Sequence, residues 1–291
     1  MTALIFDCDG VLGDTERYGH LPAFNRTFEE FGLPVRWSEE EYGEKLRIGG
    51  GKERMASLFA DPAFVAEAGI PDDDAARKDL LAQWHKAKTT AFTELVGSGS
   101  VPARPGIARI IPDALAAGWT VAVASTSAEP SVRAVLEHAV GVETASRIPL
   151  FAGDVVPAKK PDPGIYLLAL ERLGVSREET IVVEDSRNGL LAATRAGLRC
   201  VVTVNGYTRE EDFAEAALVV SDLGDPDGDA VEVLADRVPV GVGHHVTLAD
   251  LEAVLRAPAP PAPAPGHPTA GEVNDPGEPR SSRTTGEGGA A

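Results

Sequence analysis

Cysteine, methionine and aromatic residues are scarce: two Cys, two Met and 5% Phe, Trp and Tyr among 291 residues. Cys8 and Cys200 cannot build a disulfide framework and do not have zinc-ligand spacing, which fits a reducing, cytoplasmic setting. Long apolar runs are missing as well. The longest stretches without Asp, Glu, Lys or Arg are 15 residues, as in Ala114 to Ala128. A membrane-spanning helix needs about 18 or more apolar residues, so none is expected. No basic segment precedes the first apolar run, so no secretory signal is expected either. Positive charge is in deficit. Lys and Arg number 27 against 45 Asp and Glu, a net charge of −18. Such a surface repels nucleic acid and anionic lipid, which excludes both as expected partners. A phosphorylated ligand would meet the same field, so local cations would have to attract it.

What is present is a set of short, largely β-branched runs: Leu4-Ile5-Phe6, Val121 to Ala124, Ile181-Val182-Val183 and Cys200 to Val204. Runs apolar on both faces read as parallel strands buried between helices. Helical patterns at Ser131–His138, Pro163–Leu173 and Gly189–Ala196 separate the later ones. The expected fold class is therefore α/β, a doubly wound, Rossmann-like parallel sheet. More than a hundred residues without a clear strand lie between the first run and Val121. From Thr15 to about Ala91 they are helical in pattern, as in an inserted helical domain. The expected division is a core of 1–14 and 98–257, a helical insertion of 15–97, and a Pro/Gly-rich tail of 258–291. That tail holds 8 Pro and 6 Gly in 34 residues, too little apolar surface to offset its ordering entropy. The oligomeric state stays open, and a monomer is compatible with everything above.

Four polar signals fall at the carboxyl ends of predicted strands. Asp7-Cys8-Asp9-Gly10 follows the first, Ser125-Thr126-Ser127 the second, Lys159-Lys160-Pro161 a loop after Leu150-Phe151, and Glu184-Asp185-Ser186 the run at Ile181. Open α/β sheets gather such residues into one crevice. Asp7, Asp9, Glu184 and Asp185 would then repel one another unless they shared a cation. Hard oxygen donors with open positions suit Mg²⁺. With Lys160 and the Ser125 hydroxyl, this is a constellation for phosphoryl transfer. Each signal has a plainer reading alone. Ser125 and the Glu184-Asp185-Ser186 group could cap helices, and Lys160 could be a solvated charge. Their coincidence in order at strand ends raises them above that. Cys8 reads as a core residue, and His244, His245 and His267 show no metal pattern.

These motifs resemble the haloacid dehalogenase superfamily of phosphohydrolases, and DCDGVLGDTERYGH (7–20), YGEKLRIGGGKERM (42–55), FAGD (151–154), VVEDSRNGL (182–190) and CVVTVNGYTREEDF (200–213) resemble its CbbY branch. The resemblance implies a helical C1 cap for the insertion. It implies that Asp7 is a nucleophile and Asp9 a general acid and base. Mg²⁺ would be held by Asp7, the Asp9 main-chain carbonyl and Asp185, with Glu184 behind them. Ser125 and the Thr126 N–H would hold phosphate, and Lys160 would bridge Asp7 and phosphate. In the insertion, Glu16, His20, Tyr42, Gly50, Gly51, Lys52 and Arg54 become candidate substrate contacts. Gly49-Gly50-Gly51 followed by two cations reads as an anion nest on a loop. The implied activity is a Mg²⁺-dependent phosphatase of small sugar phosphates, with xylulose 1,5-bisphosphate favoured. A β-phosphoglucomutase-like mutase shares every core motif, and a non-catalytic binding protein is the alternative from another class. Two departures stand out. KPDPGIY (160–166) replaces the usual KPAPDIY, and Ala128-Glu129-Pro130 stands where Asn and Lys are commoner.

Overall fold

The computed structural model describes residues 2–258. The expected tail, apart from Pro258, and His267 lie outside the described residues. A seven-stranded sheet runs in the order β3-β2-β1-β4-β5-β6-β7. Its strands are β1 Ala3–Phe6, β2 Thr120–Ser125, β3 Leu150–Ala152, β4 Thr180–Glu184, β5 Arg199–Thr203, β6 Leu218–Val220 and β7 Val233–Asp236. All neighbours are parallel except β6 and β7. The last two strands were not among the sequence expectations. β6 is three residues long, and β7 is half exposed at the sheet edge, so neither carries a long apolar run.

Successive strand residues face opposite ways, and the core divides accordingly. Leu4, Phe6, Val121, Val123, Ile181 and Val183 pack with Ile107, Ile110 and Ile111 of α6 (Ile107–Ala116), Val132 and Leu136 of α7 (Glu129–Val140), and Leu251 and Val254 of α11 (Leu248–Arg256). Ile5, Ala122, Ala124, Val182, Cys200 and Val202 pack on the other face. They meet Ile165, Tyr166 and Ala169 of α9 (Gly164–Leu173) and Leu190, Ala192 and Ala193 of α10 (Arg187–Arg195). Both faces are covered, which is why every residue of β1 and β4 is buried.

Between β1 and α6 the chain is helical. A π-helical turn at Glu16–His20 leads into α1 (Leu21–Glu30), α2 (Glu39–Lys45), α3 (Gly51–Ala56), α4 (Pro62–Glu67) and the long α5 (Asp74–Gly97). Phe24, Phe28, Trp37, Tyr42, Met55, Leu58 and Trp84 form a separate apolar cluster there. Ala23, Phe92 and Val96 instead join the cluster under the sheet. No helix among the described residues is long and apolar enough to cross a membrane.

Candidate active site

β1 is the strand with β2 on one side and β4 on the other, so the chain order reverses at its carboxyl end. Asp7 sits one residue beyond β1, its N–H donating to the Val183 carbonyl at 2.9 Å. Ser125 and Glu184 are the last residues of β2 and β4, both buried. The strands therefore deliver three motif residues to one point by register. Gly10 follows at φ +76°, and a β-carbon there would lie 2.1 Å from Asp185 Oδ2. Only glycine lets the first motif's turn pass that close to the fourth.

Lys160 fills the centre. Its ammonium donates to Asp7 Oδ1 at 2.6 Å, Glu184 Oε1 at 2.7 Å and the Ala124 carbonyl at 2.9 Å. Those three acceptors use all three of its protons. Burial works against the charged ammonium, but Asp7 and Glu184 outweigh it and hold the group above the usual lysine range. Tyr166 also donates to Glu184 Oε1, and Asn205 Nδ2 donates to Asp185 Oδ2 at 2.7 Å. Single carboxylate oxygens of Asp7, Glu184 and Asp185 lie within 4.8 Å of one another. Burial, reinforced by neighbouring carboxylates, raises both Asp7 and Asp185 above the carboxylate range, with Lys160 opposing at Asp7. Buried acids that repel in this way, all hard oxygen donors, fit a divalent cation such as Mg²⁺. Both Glu184 oxygens accept, Oε1 from Lys160 and Tyr166 and Oε2 from the Asp185 N–H at 3.3 Å, whereas Asp7 and Asp185 each accept at one oxygen, from Lys160 and Asn205, and keep the other open to an ion.

Asp9 points elsewhere, so its carboxylate is not part of that group, and only its main-chain carbonyl remains as the expected ligand. Its Oδ1 receives Thr15 Oγ1 and pairs with His20 Nε2, both at 2.7 Å, and Ser127 Oγ donates to Oδ2. Burial raises Asp9, but His20, Ser127 and Thr15 outweigh it and hold the carboxyl well below its ordinary range. Behind His20, the buried Lys88 ammonium lies 2.6 Å from Nδ1. A lysine donating there leaves the Nε2–H to face Asp9. Burial draws Lys88 down to about 8.

Asp7, Asp9, His20, Lys160, Glu184 and Asp185 line a cavity of about 650 Å³ together with Glu16, Arg47, Gly49, Gly50, Gly51, Arg54, Thr126 and Tyr207. Gly50 and Gly51 lie on its wall as expected, but Gly51 already begins α3, so only Gly49 and Gly50 form loop. Two expected contacts do not line this cavity. Tyr42 is fully buried in the aromatic cluster and lies behind the wall, donating to Glu16 Oε2 and accepting from Arg54 Nη1 at 2.9 Å. Lys52 pairs with Asp154, at 2.7 Å, and lines the adjoining smaller pocket. Sequence reading also gave no role to Thr15, Lys88, Tyr166, Asn205 or Ser127, the last named only as part of its motif. Asn205 carried a signal, a polar residue just past β5. Lys88, inside the longest helix, carried none. Within the KPDPG departure, Asp162 Oδ1 accepts from the N–H of Gly164, the first residue of α9, at 2.8 Å. Cys8 is buried in the core. His244 bonds the Gly228 carbonyl, at 3.0 Å.

A buried aspartate at the switch point of a parallel sheet, bridged by lysine to a carboxylate cluster under a helical cover, is the arrangement of one hydrolase class. A model of the haloacid dehalogenase-like hydrolase family matches residues 1–197, and the chain belongs to that family. It is a phosphoric monoester hydrolase. Among individual proteins it is similar to a CBBY-like protein of Arabidopsis thaliana, 51% identical over 225 residues, covering 77% of this chain and 70% of the relative. It is also similar to the plasmid protein CbbY of Cupriavidus necator, 39% identical, covering 88% and 96% of the two chains. Crystal structures of CbbY from Rhodobacter sphaeroides, one with phosphate and one of a mutant with xylulose-(1,5)-bisphosphate, superpose with a TM-score of 0.68. Each is 40% identical and covers 76% of this chain and 95% of the other.

Proposed function

We propose that this chain is a Mg²⁺-dependent phosphatase of sugar bisphosphates, with xylulose 1,5-bisphosphate as the favoured substrate and Asp7 as the phosphorylated residue. The observation that carries the reading is one cavity lined both by Asp7 with Lys160 and by Arg54 with Gly50 and Gly51. The relative crystallised with xylulose-(1,5)-bisphosphate supports the choice of sugar.

Asp7 attacks phosphorus in line, and the P–O bond to the sugar breaks. The Ser125 hydroxyl and the Thr126 N–H bind the phosphoryl oxygens, and Lys160 exchanges one of its three present acceptors for a phosphoryl oxygen while it keeps Asp7. Asp7, Asp185 and the Asp9 carbonyl would hold Mg²⁺, which would supply the positive charge that lets a carboxylate approach a phosphate. As the phosphate dianion enters, its charge favours the neutral carboxyl, so Asp9 takes up a proton from solvent and gives it to the leaving oxygen. Asp9 then takes a proton from the water that hydrolyses the aspartyl-phosphate, the step for which its ionised form is ready. Glu16 and His20, both on the cavity wall, are the groups proposed to meet the sugar hydroxyls.

The test is phosphate release from a panel of sugar mono- and bisphosphates, with Mg²⁺ and with EDTA. A bisphosphate gives the highest kcat/KM, and EDTA abolishes turnover. Isomerised sugar phosphate without free phosphate would establish the mutase instead, and no turnover of any sugar phosphate would overturn the substrate class. Arg54 is a cation of the cap on the cavity wall, 12% exposed. Arg54→Ala lowers kcat/KM for the bisphosphate by roughly 10- to 100-fold, the worth of a hydrogen bond to a charged group. An aryl monophosphate, with no distal phosphate, loses far less in the same assay.

A further inference from the structure

Lys52, Asp154 and Lys159 form an ion triad that the chemistry above does not use. Lys52 is the second residue of α3, whereas Asp154 lies just past β3. Asp154 Oδ2 receives Lys52 Nζ at 2.7 Å, and its Oδ1 receives Lys159 Nζ at 2.6 Å. Lys159 also donates to the Gly153 carbonyl at 2.9 Å. One carboxylate thus joins the helical cap to the residue preceding Lys160.

A second contact lies beside it. A β-carbon at Gly49 would stand 3.1 Å from the Lys160 carbonyl oxygen and 3.8 Å from Lys159 Cβ. The glycine loop of the cap therefore rests on the main chain of the Lys159-Lys160 segment, closer than a larger residue would comfortably allow. The triad also borders a separate pocket of about 280 Å³ whose wall includes Gly51, Lys88, Thr126 and Ser127, four residues that also line the main cavity. The ion bridge stands outside the site, beside its phosphate end. Hydrogen bonds from Lys159 and Lys52 hold Asp154 ionised, down to about 2.

We infer that Asp154 is a positioning residue: by holding Lys52, it docks the Gly49–Gly51 loop and Arg54 onto the segment that carries Lys160. This rests on the reading that a sugar phosphate is turned over beneath the closed cap. Lys52 is then a latch and not a phosphate ligand. The two roles give opposite results when Asp154 loses its charge. A latch weakens, whereas a phosphate-binding Lys52 is set free to bind better. Asp154 is 62% exposed and Lys52 41%, and an exposed pair shifts an equilibrium by about 2- to 5-fold.

The experiment compares Asp154→Asn, Lys52→Gln, the double variant and Lys52→Arg. KM and kcat are measured with the best sugar phosphate. Closure is measured without substrate by energy transfer between dyes on Lys78→Cys in α5 and Glu171→Cys in α9, both exposed positions. The native cysteines are buried. Asp154→Asn and Lys52→Gln each raise KM by about 2- to 5-fold with kcat little changed. The double variant is no worse than either single one, and Lys52→Arg restores the wild-type value. Energy transfer falls equally in both single variants, and in the wild type at high salt, where exposed charges are screened. An unchanged or lower KM in Asp154→Asn, additive losses in the double variant, or energy transfer that does not change would each overturn the latch. If no sugar phosphate is hydrolysed, the substrate reading fails, and the energy-transfer comparison still decides the latch.

Discussion

Asp7→Asn abolishes phosphate release and leaves the fold intact. The amide keeps the shape and the oxygen that accepts from Lys160, 2.6 Å away, but it has lost the charge that attacks phosphorus. Removal of a covalent nucleophile costs on the order of 10³-fold or more in kcat. The substitution also removes one negative charge from a buried set of three. Mutual repulsion among Asp7, Glu184 and Asp185 falls, so the thermal midpoint is unchanged or higher. The measurement is a single-turnover assay with purified variant, alongside a melting curve. Residual activity of a few per cent would remove Asp7 from the chemistry. A lowered melting temperature would show that Lys160 depends on the Asp7 charge for its place.

Asp9→Asn produces the second large effect, and the size depends on the leaving group. A sugar alkoxide needs a proton as it departs, whereas an aryl oxide leaves without one. General acid catalysis contributes about 10²- to 10⁴-fold. The phosphorylation step, followed as a burst of released alcohol or phenol, therefore slows by that factor for a sugar phosphate and far less for an aryl phosphate. Hydrolysis of the phosphorylated enzyme slows with both, because both leave the same aspartyl-phosphate waiting for a base. The variant keeps an oxygen for Thr15 and His20, each 2.7 Å from the present carboxylate. A loss shared equally by both substrates in the first step would mean that Asp9 orients groups and transfers no proton.

The core of the site was legible from the chain alone because a parallel sheet converts sequence position into spatial position. Short buried runs identify strands, and the residue just past each run stands at the carboxyl edge. Asp7, Ser125, Glu184 and Asp185 needed no more than that, and Lys160 followed from its place after Leu150-Phe151. The helical cover was legible only as a type. Helical periodicity states that Tyr42, Lys52, Arg54 and Lys88 lie on helices, but not which way each helix turns when it meets the sheet. Tyr42 carries a hydroxyl, yet its ring completes an aromatic cluster with Phe24 and Trp37, and packing drew it behind the wall. Lys52 and Arg54 stand two residues apart and so project from different sides of α3, one to Asp154 and the other to Glu16.

Local rules therefore determined the strands, the order of the motifs and the chemical class of the acidic, lysine-bridged centre. All of these depend on backbone periodicity and on residues within a few positions of one another. Tertiary structure alone decided that Lys88 backs His20, that Asn205 holds Asp185 and that Lys52 pairs with Asp154. Each joins segments 20 to 102 residues apart. Such pairings follow from how the cap helices and loops pack against the sheet, and no pattern along the chain encodes them locally.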